Sequence, residues 1–173
     1  MNKFLNKIRS IENEIPITRK IINTILILCF GIVLGTFAKF LDTTASNTLP
    51  FIFEYLDISN FLGRFAIWLL IALYIAIYSH SSIRASLNVL VFFIGMVSSY
   101  YLYSYFVAGF FPKNYAMIWL GFTAISPLLA FVCWYAKGKS KISFILSVII
   151  IAILLNFRFI YGWIYFDVYS ILE

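Results

Sequence analysis

Charge is scarce in this sequence. Only 12% of its 173 residues are Asp, Glu, Lys or Arg, about half the share found in soluble domains. Five stretches hold no charged residue at all: 21–38, 65–83, 85–112, 114–136 and 142–157. A soluble core of this size could not hide an apolar content of 63%, whereas lipid can. Because a hydrocarbon core needs roughly 20 apolar residues of helix, these runs predict a polytopic membrane protein.

Metal ligands and catalytic motifs are equally scarce. His80 is the only histidine, and Cys29 and Cys133 fall in separate apolar runs. Zinc needs several nitrogen, sulfur or oxygen ligands gathered in space, so we predict no metal site and no cofactor. The stretch Ser79-His80-Ser81-Ser82 offers no catalytic triad, because adjacent residues on a helix do not face one another. With no phosphate-binding glycine loop or nucleophile elbow present either, we expect that the protein is not an enzyme.

The predicted fold class is all-α. We expect a polytopic membrane helix bundle of five transmembrane helices, forming one membrane domain over residues 1–173. A partial sixth span at the C terminus stays open, because Arg158 interrupts the last apolar run and residues 159–173 could either span the membrane or lie at its interface. The five predicted spans cover about residues 21–38, 65–80, 86–106, 115–135 and 142–160.

Two segments outside the spans have helical patterns. Residues 1–17 place apolar side chains at helical spacing opposite Lys3 and Lys7, which predicts an amphipathic helix on the cytoplasmic membrane surface. A helix packed on the bundle explains the same pattern equally well. Residues 40–63 hold three acidic residues, so we predict an extracytoplasmic loop or interfacial helix there, with a short helix opening after Pro50 and running to Ser59.

Basic residues set the predicted orientation. If the N terminus is cytoplasmic and there are five spans, nine basic residues fall inside and four outside, which fits the positive-inside rule. We therefore predict a multi-pass protein of the cell membrane with an extracytoplasmic C terminus. The net charge of +6 then reflects contacts with lipid headgroups, so we predict the lipid bilayer and no nucleic acid as a partner. The inside set is Lys3, Lys7, Arg9, Arg19, Lys20, Arg84, Lys137, Lys139 and Lys141, and the outside set is Lys39, Arg64, Lys113 and Arg158.

Gly31 and Gly35 form a GxxxG pattern in the first span. Glycines at this spacing allow another helix backbone to approach closely. We predict a helix-packing face, with packing inside the chain favoured over a membrane-protein partner or a homo-oligomer.

Polar side chains in the third and fifth spans are the candidate ligand residues. Arg84, Asn88 and Ser99 share one face of the third span, and Asn156 and Arg158 lie together in the fifth. Polar groups at membrane depth should face protein or a water-filled cavity. A solute path and hydrogen bonding between helices explain the stripe equally well. If the last helix continues past Arg158, that residue needs a carboxylate, for which Asp42, Glu54 and Asp57 are the candidates.

In size and helix density the chain resembles the substrate-binding membrane subunits of energy-coupling-factor vitamin transporters. Those subunits usually have six spans, and Gly31 and Gly35 match their small-residue coupling motif loosely. The resemblance is one of shape and assigns no residue.

Two functions follow from the sequence: a small-solute transport component that binds its ligand between helices, or a non-transporting accessory or interaction subunit of a membrane complex. The first predicts a polar cavity that reaches the midplane, and the second predicts solid packing with an exposed groove of small residues.

Overall fold

A computed structural model describes residues 3–11, 15–45 and 48–163, with side chains from 5 to 156 within these ranges. All regular structure in these ranges is helical, which confirms the predicted all-α class. A partial sixth span stayed open over residues 159–173; α8 continues to Trp163, and residues 164–173 lie outside the described residues. The helices are α1 (Lys3–Ile8), α2 (Ile17–Thr43), α3 (Phe51–Tyr55), α4 (Ile58–Gly63), α5 (Phe65–Tyr78), α6 (Ser82–Phe106), α7 (Lys113–Trp134) and α8 (Lys141–Trp163).

Among the residues that the structure describes, three helices are long and apolar enough to cross a membrane. They are α2, α6, and α7 together with the 3-10 turn that follows it, Tyr135–Lys137. The fourth apolar helix, α5, has 14 residues and is only about 21 Å long at ~1.5 Å per residue. For α8 the described side chains end at Asn156, and the apolar stretch Lys141–Asn156 lies within a helix that continues to Trp163. Helix length therefore supports three of the five predicted spans directly.

Helices α2 and α6 are parallel, and α6 lies at the centre of the bundle. The first turns of the two helices meet where Arg84 donates a hydrogen bond to the main-chain oxygen of Lys20. The last turn of α2 meets the C-terminal part of α6 where the Tyr100 hydroxyl donates to Asp42. We call the end of the bundle at Lys20 and Arg84 the near end, and the opposite end at Asp42 and Tyr100 the far end.

Helices α5 and α7 run antiparallel to α6. The Ser86 hydroxyl at the start of α6 donates to the carbonyl of Pro127 late in α7, and the Phe93 and Trp119 rings meet further along. The residue after α5, Ser79, accepts a hydrogen bond from Asn88 at the near end. The chain between α2 and α6 therefore returns from the far end to the near end through α4 and α5.

The proline in α7 does not end the helix. Pro127 has no N–H to bond the carbonyl of Thr123. The hydroxyl of Ser126 donates to that carbonyl at 2.9 Å and takes the place of the missing bond. This local replacement keeps the backbone of α7 hydrogen-bonded at a depth where water would be absent in a membrane.

The N-terminal helix is shorter than predicted and packs on the bundle. Within the predicted segment 1–17, α1 covers only Lys3–Ile8. Ile8 is buried, and its carbonyl lies so close to Gly138 that a β-carbon there would collide with it. A helix of six residues is not stable alone, so packing against the α7–α8 turn holds it in place.

The prediction of one helix from the residue after Pro50 to Ser59 is wrong in its extent. The structure divides this segment into α3 and α4, because Asp57 adopts a left-handed conformation with φ of 49°. This turn directs α4 toward α2, where the Ser59 hydroxyl donates to the carbonyl of Leu41 and Leu62 is buried. Packing of α4 thus decides where the helix breaks.

Helix α8 packs on the bundle mainly through its first turns. Ser140 caps it by accepting from the main-chain N–H of Ser143, and the Ser147 hydroxyl donates to the carbonyl of Ala136. Most of its larger apolar side chains beyond these turns are exposed, as expected of a lipid-facing helix. They include Val148, Ile149, Ile151, Ile153 and Leu155.

Candidate functional site

Three glycines bring α2 and α6 into backbone contact, and we call them the glycine seam: Gly31, Gly35 and Gly95. All three are buried. A β-carbon on Gly31 or Gly35 would collide with the carbonyl oxygens of Phe92 and Met96, and one on Gly95 would lie 2.8 Å from the carbonyl of Leu28. The predicted packing residues Gly31 and Gly35 therefore meet a helix of the same chain, and a partner could use this face only by displacing α6.

On the near-end side of the seam lies the near cluster: Thr24, Ser79, Arg84 and Asn88. The Arg84 guanidinium donates to the Thr24 hydroxyl at 2.5 Å, and that hydroxyl lies 3.2 Å from the Asn88 amide oxygen. The Asn88 amide nitrogen donates to the Ser79 hydroxyl at 3.0 Å. These bonds connect α2, α6 and the end of α5, and Asn88 is 6% exposed.

Two residues that the sequence did not single out extend the near cluster. The buried Trp134 indole donates to the Ser79 carbonyl at 2.7 Å. Arg9 donates to the carbonyls of Trp134 and Ile77, and its guanidinium lies 4.1 Å from the centre of the Trp134 ring. A buried indole N–H needs an acceptor, so the position of Trp134 in an apolar run could have indicated a hydrogen bond to another segment. Nothing in the sequence around Arg9 indicates its role, because its acceptors are far away in the chain.

A second group, the far cluster, consists of Lys39, Asp42 and Tyr100. Lys39 is only 5% exposed, and its ammonium lies 2.7 Å from the Asp42 carboxylate. The Tyr100 hydroxyl donates to the same carboxylate at 3.0 Å, and the Lys39 ammonium lies 5.0 Å from the centre of its ring. Asp42, a candidate partner for Arg158, is thus paired with Lys39. The sequence signal for Lys39 was its four-residue spacing after Gly31 and Gly35.

The remaining candidate residues do not join the near cluster. Ser99 lies beside Gly35 and donates to the carbonyl of Met96 on its own helix. Asn156 is exposed on α8 and donates to the carbonyl of Ala152 one turn back. The Arg158 side chain lies outside the described side chains. The structure therefore brings Arg84 and Asn88 together and leaves Ser99 and Asn156 apart from them.

No known family model, curated protein or solved structure matches this chain. Its site is therefore interpreted from its own geometry. Across the side chains that the structure describes, no group of three or more His, Cys, Asp or Glu is placed to hold a metal ion. In the same part of the chain every buried side-chain nitrogen and oxygen has a hydrogen-bond partner.

The two clusters hold helices together. Each ties the end of α2 to the end of α6 through hydrogen bonds that the protein makes with itself. Between them, the glycine seam leaves no room for even one added methyl group at Gly31 or Gly35. A solute therefore has no passage along the α2–α6 interface from one polar cluster to the other.

Proposed function

We propose that the protein is a five-span protein of the cell membrane that acts as a non-transporting subunit of a membrane complex. The observation that carries this proposal is the glycine seam. It closes the interface that holds both polar clusters, and Thr24, Ser79 and Asn88 in the near cluster are bonded to one another. Because these groups bond to one another inside the bundle, we expect the protein to act through its outer surfaces.

The direction of the helices supports five crossings. If α2 and α6 both cross the membrane in the same direction, the chain between them must cross back, and α5 with α4 makes that return. A short helix such as α5 is accommodated by local thinning of the bilayer or by flanking side chains that reach the surface. Helix α8 starts at the near end and has 23 residues, about 34 Å at ~1.5 Å per residue, which is long enough for a fifth crossing.

The distribution of charge supports a cytoplasmic near end. Among the described residues, every acidic side chain lies at the far end, namely Asp42, Glu54 and Asp57. Cytoplasmic segments of membrane proteins are enriched in Lys and Arg. The described basic side chains of the near end are Lys7, Arg9, Arg19, Lys20, Arg84, Lys137, Lys139 and Lys141.

Helix α3 supports an interfacial segment at the far end. Phe51 and Tyr55 are both strongly exposed, and their rings stack with centroids 5.8 Å apart. Ile52 and Leu56 are exposed beside them. Exposed aromatic rings on a short helix outside the spans suit the headgroup level of the bilayer, where one side of each ring is apolar and the other is wet.

A small-solute transport component is the second candidate. The observation that favours it is the far cluster, because a buried Lys39 within a helix long enough to span marks an ionisable group at membrane depth. Such groups commonly belong to binding sites and ion pathways. In this candidate a ligand would enter from the far end and meet Asp42, whose side chain is 53% exposed.

Purification in mild detergent from the native host distinguishes the two candidates. The subunit proposal expects the 20.0 kDa chain to elute with a stoichiometric integral membrane partner and to show no solute flux in proteoliposomes. An ATPase pair that co-purifies, together with flux abolished by Asp42→Asn, would support transport instead. A monodisperse monomer with no partner would contradict the subunit proposal.

A further inference from the structure

Arg84 keeps unused hydrogen-bond donors at the edge of the near cluster. Its contacts with the Lys20 carbonyl and the Thr24 hydroxyl both come from Nη2, each at 2.5 Å. Within the described part of the chain, Nε and Nη1 have no hydrogen-bond partner. The side chain is partly exposed, so Nε and Nη1 each present an N–H donor to the surroundings, and a hydrogen bond from a guanidinium group to phosphate is charge-assisted and strong.

Lys20 is a second cation of the near end. Lys20 supplies the carbonyl that Arg84 binds, and its own ammonium has no partner among the described residues. Arg19, the preceding residue, is exposed. In the sequence, the nine basic residues of the predicted inside set outnumber Glu12 and Glu14 in the same segments, so the field around Arg84 and Lys20 is positive and attracts an anion.

Below Arg84, an apolar strip follows the surface of α6. Leu87, Val91 and Ile94 lie three, seven and ten residues after Arg84, which places them on the same helix face. Leu87 and Ile94 are 43% and 45% exposed. A cationic group at the head of an exposed apolar strip is complementary to an amphiphile with an anionic head and an acyl chain.

We infer that Arg84 and Lys20 bind the headgroup phosphate of an anionic phospholipid whose acyl chain lies along Leu87 and Ile94. One free N–H group of Arg84, on Nε or Nη1, donates to a phosphate oxygen, and Lys20 adds a point charge. The inference rests on the proposed crossing of the membrane by α2 and α6, and it is independent of the subunit role. The apolar strip favours a membrane lipid over free phosphate, because only the lipid has an acyl chain that can cover the strip.

Lipid exchange in nanodiscs tests this site. The intact protein is placed in phosphatidylcholine discs with and without phosphatidylglycerol, and thermal unfolding and retained lipid by native mass spectrometry are measured. We expect phosphatidylglycerol to raise the unfolding temperature of the wild type. Arg84→Gln should weaken retention about ten-fold, the effect of losing charge-assisted hydrogen bonds. The matched control Lys113→Gln removes an exposed cation from the far end and should keep the full effect.

Comparing each variant with itself in the two lipids separates lipid binding from loss of stability. Lys20→Gln removes no described hydrogen bond, and it should lose part of the rise in unfolding temperature that phosphatidylglycerol causes. It replaces Arg84→Gln as the test variant if Arg84→Gln folds poorly. Equal lipid effects in the wild type, Lys20→Gln and Arg84→Gln would overturn the site. The lipid site would also be overturned if inorganic phosphate, added to phosphatidylcholine discs, raised the unfolding temperature as much as phosphatidylglycerol does. If the wild type shows no lipid preference while cysteine labelling still reports five crossings, the lipid site alone fails.

Discussion

The Nη2 atom of Arg84 lies 2.5 Å from the main-chain oxygen of Lys20, although 64 positions separate the two residues. This contact places the first turns of α2 and α6 side by side and makes the two helices parallel. It follows that the intervening chain reverses direction once within the bundle. Topology, packing of the glycine seam and the near cluster all depend on that alignment.

Alanine at the seam should destabilise the bundle, whereas alanine at an open glycine should not. In Gly35→Ala the new β-carbon collides with the backbone carbonyl of Met96 as well as with the Ser99 hydroxyl, and because the backbone cannot move aside we expect the free energy of unfolding to fall by about 1–3 kcal/mol. Gly121 has nothing within 4 Å, and Gly121→Ala should be neutral or stabilise slightly through helix propensity. Unfolding in mixed micelles measures both, and equal losses would contradict a tight seam.

The Trp134 indole should contribute through its N–H as well as through its ring. Trp134→Phe leaves the buried Ser79 carbonyl without the donor that now lies 2.7 Å away, and we expect a loss of about 1–3 kcal/mol of unfolding free energy. Trp119→Phe is the matched control, because that indole has no hydrogen bond among the described residues. Chemical denaturation followed by circular dichroism gives both values. A loss as large in the control would mean that ring volume alone matters.

The far-cluster ion pair should respond asymmetrically to removal of its partners. Asp42→Asn leaves the ammonium of Lys39 buried without a counter-charge, so we expect a loss of about 1–3 kcal/mol, reduced from a fully buried pair by the exposure of Asp42. Lys39→Met fills the same space with an apolar chain and leaves an exposed carboxylate, so it should cost less. The double variant should recover most of the Asp42→Asn loss. Additive losses in this double-mutant cycle would show that the pair is not coupled.

Cysteine labelling should place the two ends of the bundle on opposite sides of the membrane. In a background with Cys29→Ala and Cys133→Ala, we expect Thr48→Cys to react with an impermeant maleimide on intact cells. Lys139→Cys should react only after permeabilisation. A label at the C terminus should follow Thr48→Cys if α8 completes a fifth crossing. Labelling of Lys139→Cys on intact cells would reverse the proposed orientation.

Sequence reasoning located the apolar helices well and the breaks between them less well. Runs without charge marked α2, α6 and α7 because a helix in lipid must be apolar along most of its length. The break at Asp57 was missed because its left-handed conformation depends on packing of α4 against α2. Helical spacing placed Arg84 and Asn88 on one face, but their partner Thr24 is on another helix and has no local signal.

The sequence by itself determined the all-helical class, the membrane-compatible composition and the concentration of positive charge at one end. These properties follow from the kind of residue and its local period, so no knowledge of distant contacts is needed. Only the tertiary structure decided that Gly31 and Gly35 seal against α6, that Lys39 pairs with Asp42, and that Arg9 reaches Trp134. Each of these depends on which helices are neighbours and in which direction they run, and that is settled by packing between segments far apart in the chain.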